Sequence, residues 1–250
     1  LKSLKSKFKK INFINVKNNN TGITYKTRFV DEYNLSKIFQ LNENDEININ
    51  KISEKKILSK ILTLSKRFQK IVITDFGQGL ITDNICSLIN KLKKDKFINC
   101  QANSSNFGYN KFNKYNNAKI LSCDEDEFRL SLNQNTLGLY DVIKKNINEF
   151  KKIHKMVVTS GKQGSYFIEK NKINFVKSLK INNMVDSIGC GDVFFSYLIV
   201  FNCFKNNNKL SNSEIMILCH LAASLHSKYF ANSKLIDKEE YLKGFKSITA

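Results

Sequence analysis

The feature that most constrains the fold of this chain is an alternation of short apolar runs with longer segments of helical periodicity. Apolar runs of strand length occur at residues 70–74, 97–100, 119–122 and 155–160. Apolar side chains recur at helical spacing at residues 53–68, an amphipathic helix is predicted at residues 82–92, and residues 133–150 are expected to be mostly helical. A short apolar run is typical of a strand that is buried on both faces. Strands that alternate with helices predict an α/β fold, in which a doubly wound and mostly parallel sheet is flanked by helices.

The two ends of the chain depart from this alternation. Near the N-terminus, two strands are predicted at residues 24–30 and 37–41. Beyond residue 160 we expect a hairpin that turns at Lys170 and Asn171. Three helices are predicted after the hairpin, at residues 193–204, 213–230 and 237–245.

The length of 250 residues corresponds to one large domain or to two small ones. Because no repeat or flexible linker interrupts the chain, we predict one domain over residues 1–250. For residues 1–45 the alternative is a smaller, strand-rich lid. The chain begins with Leu1 rather than Met, from which we expect the domain to be truncated at its N-terminus.

A net charge of +19 raises the question of nucleic-acid binding. Only three of the 41 basic residues are arginines, Arg28, Arg67 and Arg129, and the lysines are spread along the whole chain. Arginine is the preferred residue for bidentate phosphate and base contacts. A solvated basic surface is therefore the favoured interpretation, and a basic nucleic-acid binder is the alternative.

The six cysteines form no C-x-x-C pair, and no histidine lies at zinc-ligand spacing from them. Several occur inside apolar runs, where cysteine behaves as a small hydrophobic residue. We expect buried free thiols in a reducing compartment, which favours the cytoplasm. No apolar run approaches the roughly 20 residues that span a bilayer, so no membrane segment is predicted.

The segment most informative about chemistry is residues 184–195, which carries Asp186, Gly189, Gly191 and Asp192 immediately before a predicted helix. Two glycines one residue apart allow a sharp turn and a close approach of the backbone to a ligand. The N–H groups of Gly189, Cys190 and Gly191 would then face outward at a helix N-terminus, where an anion is stabilised. The alternative for Asp192 is a favourable charge near the start of a helix.

The run Val-Asp-Ser-Ile-Gly-Cys-Gly-Asp-Val-Phe-Phe resembles the signature D-T-x-G-A-G-D-x-F of the ribokinase-like (PfkB) family of carbohydrate kinases. Ser187 stands in the position of the threonine and Cys190 in that of the alanine. The resemblance implies a ribokinase-like fold and identifies Asp192 as the general base for the acceptor hydroxyl. It also implies that the amides of Gly189, Cys190 and Gly191 stabilise the phosphoryl group during transfer.

Three further segments match the same family in the same order, at residues 121–127, 156–164 and 219–225. Residues 156–164 resemble its V-V-T-x-G-x-x-G element, which implies that Thr159, Gly161 and Gly164 border the nucleotide. Taken alone, an ordinary strand, turn and hairpin would explain this segment as well.

Residues 121–127 resemble the N-x-x-E element of the family. That resemblance implies that Glu127 organises Mg²⁺ through water, and that Asp124 stands where an asparagine faces the phosphates. The alternative is an acidic cluster that complements a helix dipole.

Two more residues are assigned by the resemblance. His220 stands on a helix where family members place a side chain beside adenine, and its alternative is a hydrogen-bonded core residue. Asp186, with the loop near Ala231 and Asn232, falls where relatives bind a monovalent cation such as K⁺ through backbone oxygens. The cofactors implied are ATP and Mg²⁺, with K⁺ as a further candidate.

Within the family, residues 73–80, 101–110 and 123–130 are similar to heptose-phosphate kinase-like members, as is the strand with Lys26 and Arg28. Many relatives carry Asp-Pro-Lys near Gln101, and this chain does not. The first 100 or so residues of the family, with its Gly-Gly sugar motif, have no counterpart here.

The sequence therefore predicts an ATP-dependent kinase that phosphorylates a hydroxyl of a sugar or sugar phosphate in the cytoplasm. A catalytically inactive nucleotide-binding or regulatory relative is the alternative. The expected partners are small molecules rather than membranes or nucleic acids, and the sequence leaves oligomerisation open.

Overall fold

A computed structural model describes residues 8, 10–16, 24–33, 36–43, 49–102, 108–179, 184–208 and 210–249. The backbone divides into two compact units, one of residues 1–69 with 78–92 and one of residues 70–77 with 93–250. The assignment of residues 1–250 to one domain, or of residues 1–45 to a lid, stays a prediction.

The first unit contains a two-stranded antiparallel sheet and two helices. Its elements are β1 (Tyr25–Val30), β2 (Lys37–Glu43), α1 (Lys51–Ser65) and α2 (Asp83–Lys91). The rings of Phe29 and Phe39 stack across the two strands with their centroids 4.2 Å apart. The predicted N-terminal strands are therefore confirmed as a small antiparallel sheet.

The second unit is built on a six-stranded sheet whose strands follow one another in chain order. The strands are β3 (Lys70–Asp75), β4 (Asp95–Cys100), β5 (Ile120–Asp124), β6 (Lys155–Ser160), β7 (Gly164–Glu169) and β8 (Lys172–Lys177). Strands β3 to β6 are parallel, and β7 and β8 add to them in antiparallel fashion. Lys170 and Asn171 both have positive φ, as a tight hairpin turn requires.

The helices of this unit are α3 (Glu125–Leu132), α4 (Leu139–Lys145), α5 (Cys190–Asn208), α6 (Asn212–His226) and α7 (Lys238–Thr249). The prediction that residues 133–150 are mostly helical is wrong, because more than half of these residues are not helical. A capping box of Asp124 and Glu127 starts α3 at Glu125, and Asn133 ends that helix in the left-handed conformation with φ 53°. The chain is helical again only from Leu139 to Lys145.

The main core fills the space between one face of the sheet and helices α5 and α6. Its members are Phe97, Ile120, Val157, Phe167 and Val176 from the strands and Phe194, Phe195, Leu198, Ile215, Met216 and Cys219 from the helices. The alternate strand residues Ile98, Leu121 and Val158 are buried as well. Burial on both faces is the property of a covered parallel sheet, and the predicted α/β class is confirmed.

Among the described residues, no helix combines the length and the apolar content that crossing a bilayer requires. All six cysteines are free thiols, and Cys86, Cys100, Cys123 and Cys219 are buried, as the sequence predicts.

We predict that Phe194→Ala lowers the free energy of unfolding by about 3–5 kcal/mol, because it removes a buried ring between sheet and helices. Val200, on the same helix, is 50% exposed. Val200→Ala should therefore change stability by less than about 0.5 kcal/mol. Urea unfolding measures both values, and equal losses for the two variants would contradict this packing.

Candidate functional site

Several of the predicted site residues, among them Asp124 and Thr159, lie at the carboxyl ends of the parallel strands. Strand β3 ends at Asp75, β4 is followed by Gln101, β5 ends at Asp124, and β6 ends at Ser160. Since these four strands are parallel, their carboxyl ends lie at one edge of the sheet. That edge is where ligands bind in open α/β sheets.

The turn that leads into α5 contains the two glycines of the predicted anion site. Gly189 has a φ of +79°, which residues with a side chain rarely adopt. Among the hydrogen bonds between described residues, none uses the N–H of Gly189 or Gly191. The N–H of Cys190 donates to the Ser187 carbonyl over 3.2 Å, so the proposed anion site depends on the two glycines. Asp192 is exposed on the first turn of α5.

The buried ring of His226 and the exposed side chain of Asn232 lie against this turn. The Nε2 atom of His226 lies 3.1 Å from the Ile188 carbonyl, which fixes the ring as an Nε2–H donor. A Cβ on Gly189 would overlap the side-chain oxygen of Asn232 and would lie 2.9 Å from His226 Nε2. A residue with a Cβ at position 189 would be strained by this φ and would also displace the Asn232 side chain.

Asp186 ties the same turn to the loop after α6. Its Oδ1 accepts from the N–H of Ile188 over 3.1 Å, and its Oδ2 accepts from the N–H of Ala231 over 2.9 Å. The two segments that the resemblance assigns to a monovalent cation are therefore adjacent. In this structure the carboxylate itself connects them through backbone amides.

Cys190 is a neutral thiol that fits beneath the turn. Its Sγ lies 3.4 Å from the Ala223 carbonyl. Burial, and then the charge of Asp186, raise the pKa of the Cys190 thiol to about 11. Its side chain therefore does not act as a nucleophile near neutral pH.

A glutamine links Asp192 to the sheet, and the sequence pattern did not identify it. Gln101 Nε2 donates to Asp192 Oδ1 over 2.8 Å and also to Asn99 Oδ1. Asn99 is buried and donates in turn to the Ser122 carbonyl over 3.1 Å. The only signal available was a polar residue directly after a buried strand. This chain lacks the Asp-Pro-Lys element that many relatives carry near Gln101, so the contact with Asp192 is made by an amide and not by the lysine of that element.

Asp124 and Glu127 meet at the start of α3, where they form the capping box. Glu127 accepts from the N–H of Asp124 over 2.7 Å and from the N–H of Ala102 over 2.8 Å. Burial, followed by the charge of Asp124, raises the pKa of Glu127 to about 7, although both amide bonds favour the ionised form. Burial also raises the pKa of Asp124. The helix-capping interpretation of this cluster accounts for the contact of Glu127 with Asp124, but the contact with Ala102 lies outside the capping box.

The segment predicted to border the nucleotide lies next to that cluster. Thr159 pairs with Asp124 across β5 and β6, and Gly161 follows in a turn with φ +48°. The hydroxyl of Ser160 donates to Glu125, which also pairs with Arg129 over 2.7 Å. The turn after β6 is thereby fixed to the start of α3.

Gly164 begins β7 with φ +138°, and a Cβ there would overlap the Val176 carbonyl. Close approach of two antiparallel strands explains this glycine.

His220 lies in the core of the second unit. The residue is 4% exposed, its Nε2 lies 2.8 Å from Ser165 Oγ, and its ring packs edge-on against Phe194. These contacts are those of a hydrogen-bonded core residue, and a role beside adenine stays a prediction.

A buried acidic residue that the motifs did not include closes the end of β3. Asp75 accepts from the hydroxyl of Tyr115 over 2.7 Å and pairs with Lys114 over 2.6 Å. The side chain of Asn110 donates to the Asp75 carbonyl and, over 2.8 Å, to the Gln101 carbonyl. This network fixes the backbone of Gln101 between β3 and the segment after residue 108.

Comparison with protein families identifies the chain. A family model described as pfkB family carbohydrate kinase matches residues 6–208. The chain belongs to the pfkB family of carbohydrate kinases. A relative by sequence is the bifunctional protein HldE of Aliarcobacter butzleri (strain RM4018), with 22% identity over 227 residues. The match covers 90% of this chain and 45% of that protein, so the chain spans less than half of its relative's length.

Solved structures show the same fold. The ribokinase of Giardia lamblia has a TM-score of 0.70 and 12% identity, with 90% of this chain and 72% of that one covered. The ribokinase of Arabidopsis thaliana, complexed with ribose and ATP, has a TM-score of 0.65 and 15% identity, with 91% and 70% covered. The predicted ribokinase-like fold is confirmed, while the roles of the individual pfkB site residues stay predictions.

We predict that Gly189→Ala destabilises the protein by at least about 1–2 kcal/mol, because alanine at this φ is strained and its methyl overlaps Asn232. Gly191 provides the matched control, since a Cβ there would meet no heavy atom of the described residues within 4 Å. Gly191→Ala should leave thermal stability unchanged or slightly raised. If both variants unfold at the same temperature, the constraint at Gly189 is refuted.

The stability of the folded protein should also fall as the pH is lowered, because of His220. Burial lowers the pKa of this histidine to about 4, below its usual 6.5, so the unfolded chain binds the extra proton first. Stability is then lost as the pH falls through 6.5 towards 4. Between pH 7 and pH 5, the wild type should lose about 2 kcal/mol more than His220→Gln, which cannot titrate. Urea unfolding at both pH values measures the difference. An equal loss of stability in the wild type and in His220→Gln would contradict the lowered pKa of His220.

Proposed function

We propose that this pfkB protein transfers the terminal phosphoryl group of ATP to a hydroxyl of a sugar or sugar phosphate. The observation that carries the proposal is the position of Asp192, an exposed carboxylate at the start of α5, next to the backbone amides of Gly189 and Gly191. Neither amide has a hydrogen-bond acceptor among the described residues. A base and an anion site are the two elements that phosphoryl transfer to an alcohol requires side by side.

Each of these groups has a separate task in the proposed reaction. Asp192 takes the proton of the acceptor hydroxyl as the hydroxyl oxygen attacks the γ-phosphorus of ATP, and the bond from that phosphorus to the bridging oxygen breaks to release ADP. The amides of Gly189 and Gly191, together with the positive end of the α5 dipole, stabilise the charge on the phosphoryl oxygens. Because Asp186 and His226 hold the adjoining backbone of Ile188, these donors would need little reorganisation during the reaction.

The nucleotide would lie along the turn after β6 and the start of α3. We assign Thr159, Gly161, Gly164 and Asp124 to its border, as the resemblance implies, and His220 to the adenine end. Because the Nε2 atom of His220 is hydrogen-bonded to Ser165, we expect His220 to act on the adenine end indirectly.

The described residues include no group of three or more histidine, cysteine or acidic side chains arranged around a metal position. Mg²⁺ usually binds through one or two carboxylates, water and substrate phosphates, and such a site does not need a preformed cage. Glu127 fits this pattern, because each of its oxygens accepts one amide and keeps a free lone pair. When bound, Mg²⁺ would neutralise charge on the phosphates.

For K⁺ we propose the backbone oxygens near Asp186 and Ala231. The Asp186 carboxylate would hold the two segments together through its bonds to backbone amides, rather than bind the ion directly.

The acceptor we propose is a heptose phosphate, from the resemblance of residues 73–80, 101–110 and 123–130 to heptose-phosphate kinase-like proteins. The match to the bifunctional protein HldE supports this choice. Residues 103–107 of the second segment lie outside the described part of the chain.

Asp192→Asn should reduce turnover by about 10²–10⁴-fold while ATP binding persists, because it removes the base and keeps the shape. Asp83→Asn is the matched control, since Asp83 is another exposed aspartate in the first turn of a helix. Transfer from ATP is measured with free and phosphorylated sugars, and ATP binding by thermal shift. Near-normal turnover of Asp192→Asn would refute the assignment of the base. A wild-type protein that binds ATP and transfers nothing would support the inactive, nucleotide-binding alternative.

A further inference from the structure

The orientation of the Gln101 amide is determined by a chain of hydrogen bonds that begins at the backbone. The Ser122 carbonyl can only accept, so the group of Asn99 that faces it must be the NH₂. Asn99 therefore presents its oxygen to Gln101, and the group of Gln101 that faces Asn99 must be an NH₂ as well. The second hydrogen of that NH₂ is directed at Asp192 Oδ1, over 2.8 Å.

The backbone of Gln101 is fixed as firmly as its side chain. Its N–H donates to the Asp75 carbonyl over 2.8 Å, and its carbonyl accepts from the Asn110 side chain over 2.8 Å. Asp75 itself is buried and paired with Lys114 and Tyr115. The amide that meets Asp192 is therefore anchored through three strands of the sheet, β3, β4 and β5.

Asp192 by contrast has little else to orient it. It is exposed, and between the described residues no hydrogen bond to its carboxylate is made except that from Gln101. An exposed aspartate without a partner samples several rotamers. A carboxylate held at one oxygen keeps a single orientation and presents its other oxygen, Oδ2, to a substrate.

We propose that Gln101 is the positioning residue of Asp192: its amide holds Oδ1 and leaves Oδ2 to take the proton of the acceptor hydroxyl. The inference rests on the proposed function, since it assumes that Asp192 is the base. Both hydrogens of the Gln101 NH₂ are used, so Gln101 acts through Asp192 and does not donate to the sugar.

The test compares two substitutions at position 101 with one at a distant glutamine. Gln101→Met keeps the length of the side chain and removes the donor. Gln101→Glu keeps the shape and places a second carboxylate against Asp192. Gln69→Met makes the same chemical change at an exposed residue before β3.

We expect Gln101→Met to lower kcat by about 10- to 100-fold, the value of one hydrogen bond to a charged group, while KM for ATP changes less than about threefold. Gln101→Glu should lower kcat further than Gln101→Met does, because the new carboxylate then faces the carboxylate of Asp192. Gln69→Met should match the wild type. A purely structural role would instead lower the unfolding temperature and leave kcat of the folded enzyme unchanged.

Turnover of Gln101→Met within twofold of the wild type would overturn the proposal, as would a loss that appears only in KM. The variant Asp192→Asn separates this failure from that of the proposed function. If Asp192→Asn is inactive and Gln101→Met is normal, only the positioning role is wrong. If Asp192→Asn is active, or the wild type transfers nothing, the proposed function itself fails.

Discussion

The structure of the candidate site depends on the backbone bend at Gly189. A positive φ at this residue allows α5 to start directly after the segment that carries Asp186, and the Asn232 and His226 side chains fill the space where a Cβ would lie. The bend sets where the amides of Gly189 and Gly191 and the carboxylate of Asp192 lie relative to one another. The Asp186 carboxylate and the His226 ring hold it through the backbone of Ile188. A local conformational requirement thus determines the geometry of the proposed anion site.

Helix α5 transmits this geometry to the body of the protein. Phe194, Phe195 and Leu198 are buried against the strands, within two turns of Asp192. The proposed base therefore stands on a helix whose opposite side is part of the main core. A reacting group on such an element is held more accurately than one on a loop, which is the advantage of building sites on packed helices.

The sequence was sufficient to predict the alternation of strands and helices, the glycine bend and the position of Asp192, because each depends on local pattern and backbone chemistry. It failed between residues 133 and 150, where the capping box at Asp124 and the left-handed Asn133 decide the helix bounds. It also missed the contact of Gln101 with Asp192. These residues are 91 positions apart, and only the sheet topology brings them together. His220 shows the opposite limit, since a motif position alone does not tell a ligand contact from a core hydrogen bond to Ser165.

The thiol at the glycine bend gives the site a chemical property of its own. Cys190 stands where the family signature usually has alanine, and an ionised thiol beside the proposed anion site would be a target for oxidants and electrophiles. With the pKa of the Cys190 thiol raised to about 11, roughly one molecule in ten thousand carries the reactive thiolate at pH 7. The bend therefore accommodates a sulfur atom that is mostly in its less reactive, protonated form near neutral pH, and thiol-directed reagents should modify Cys190 slowly.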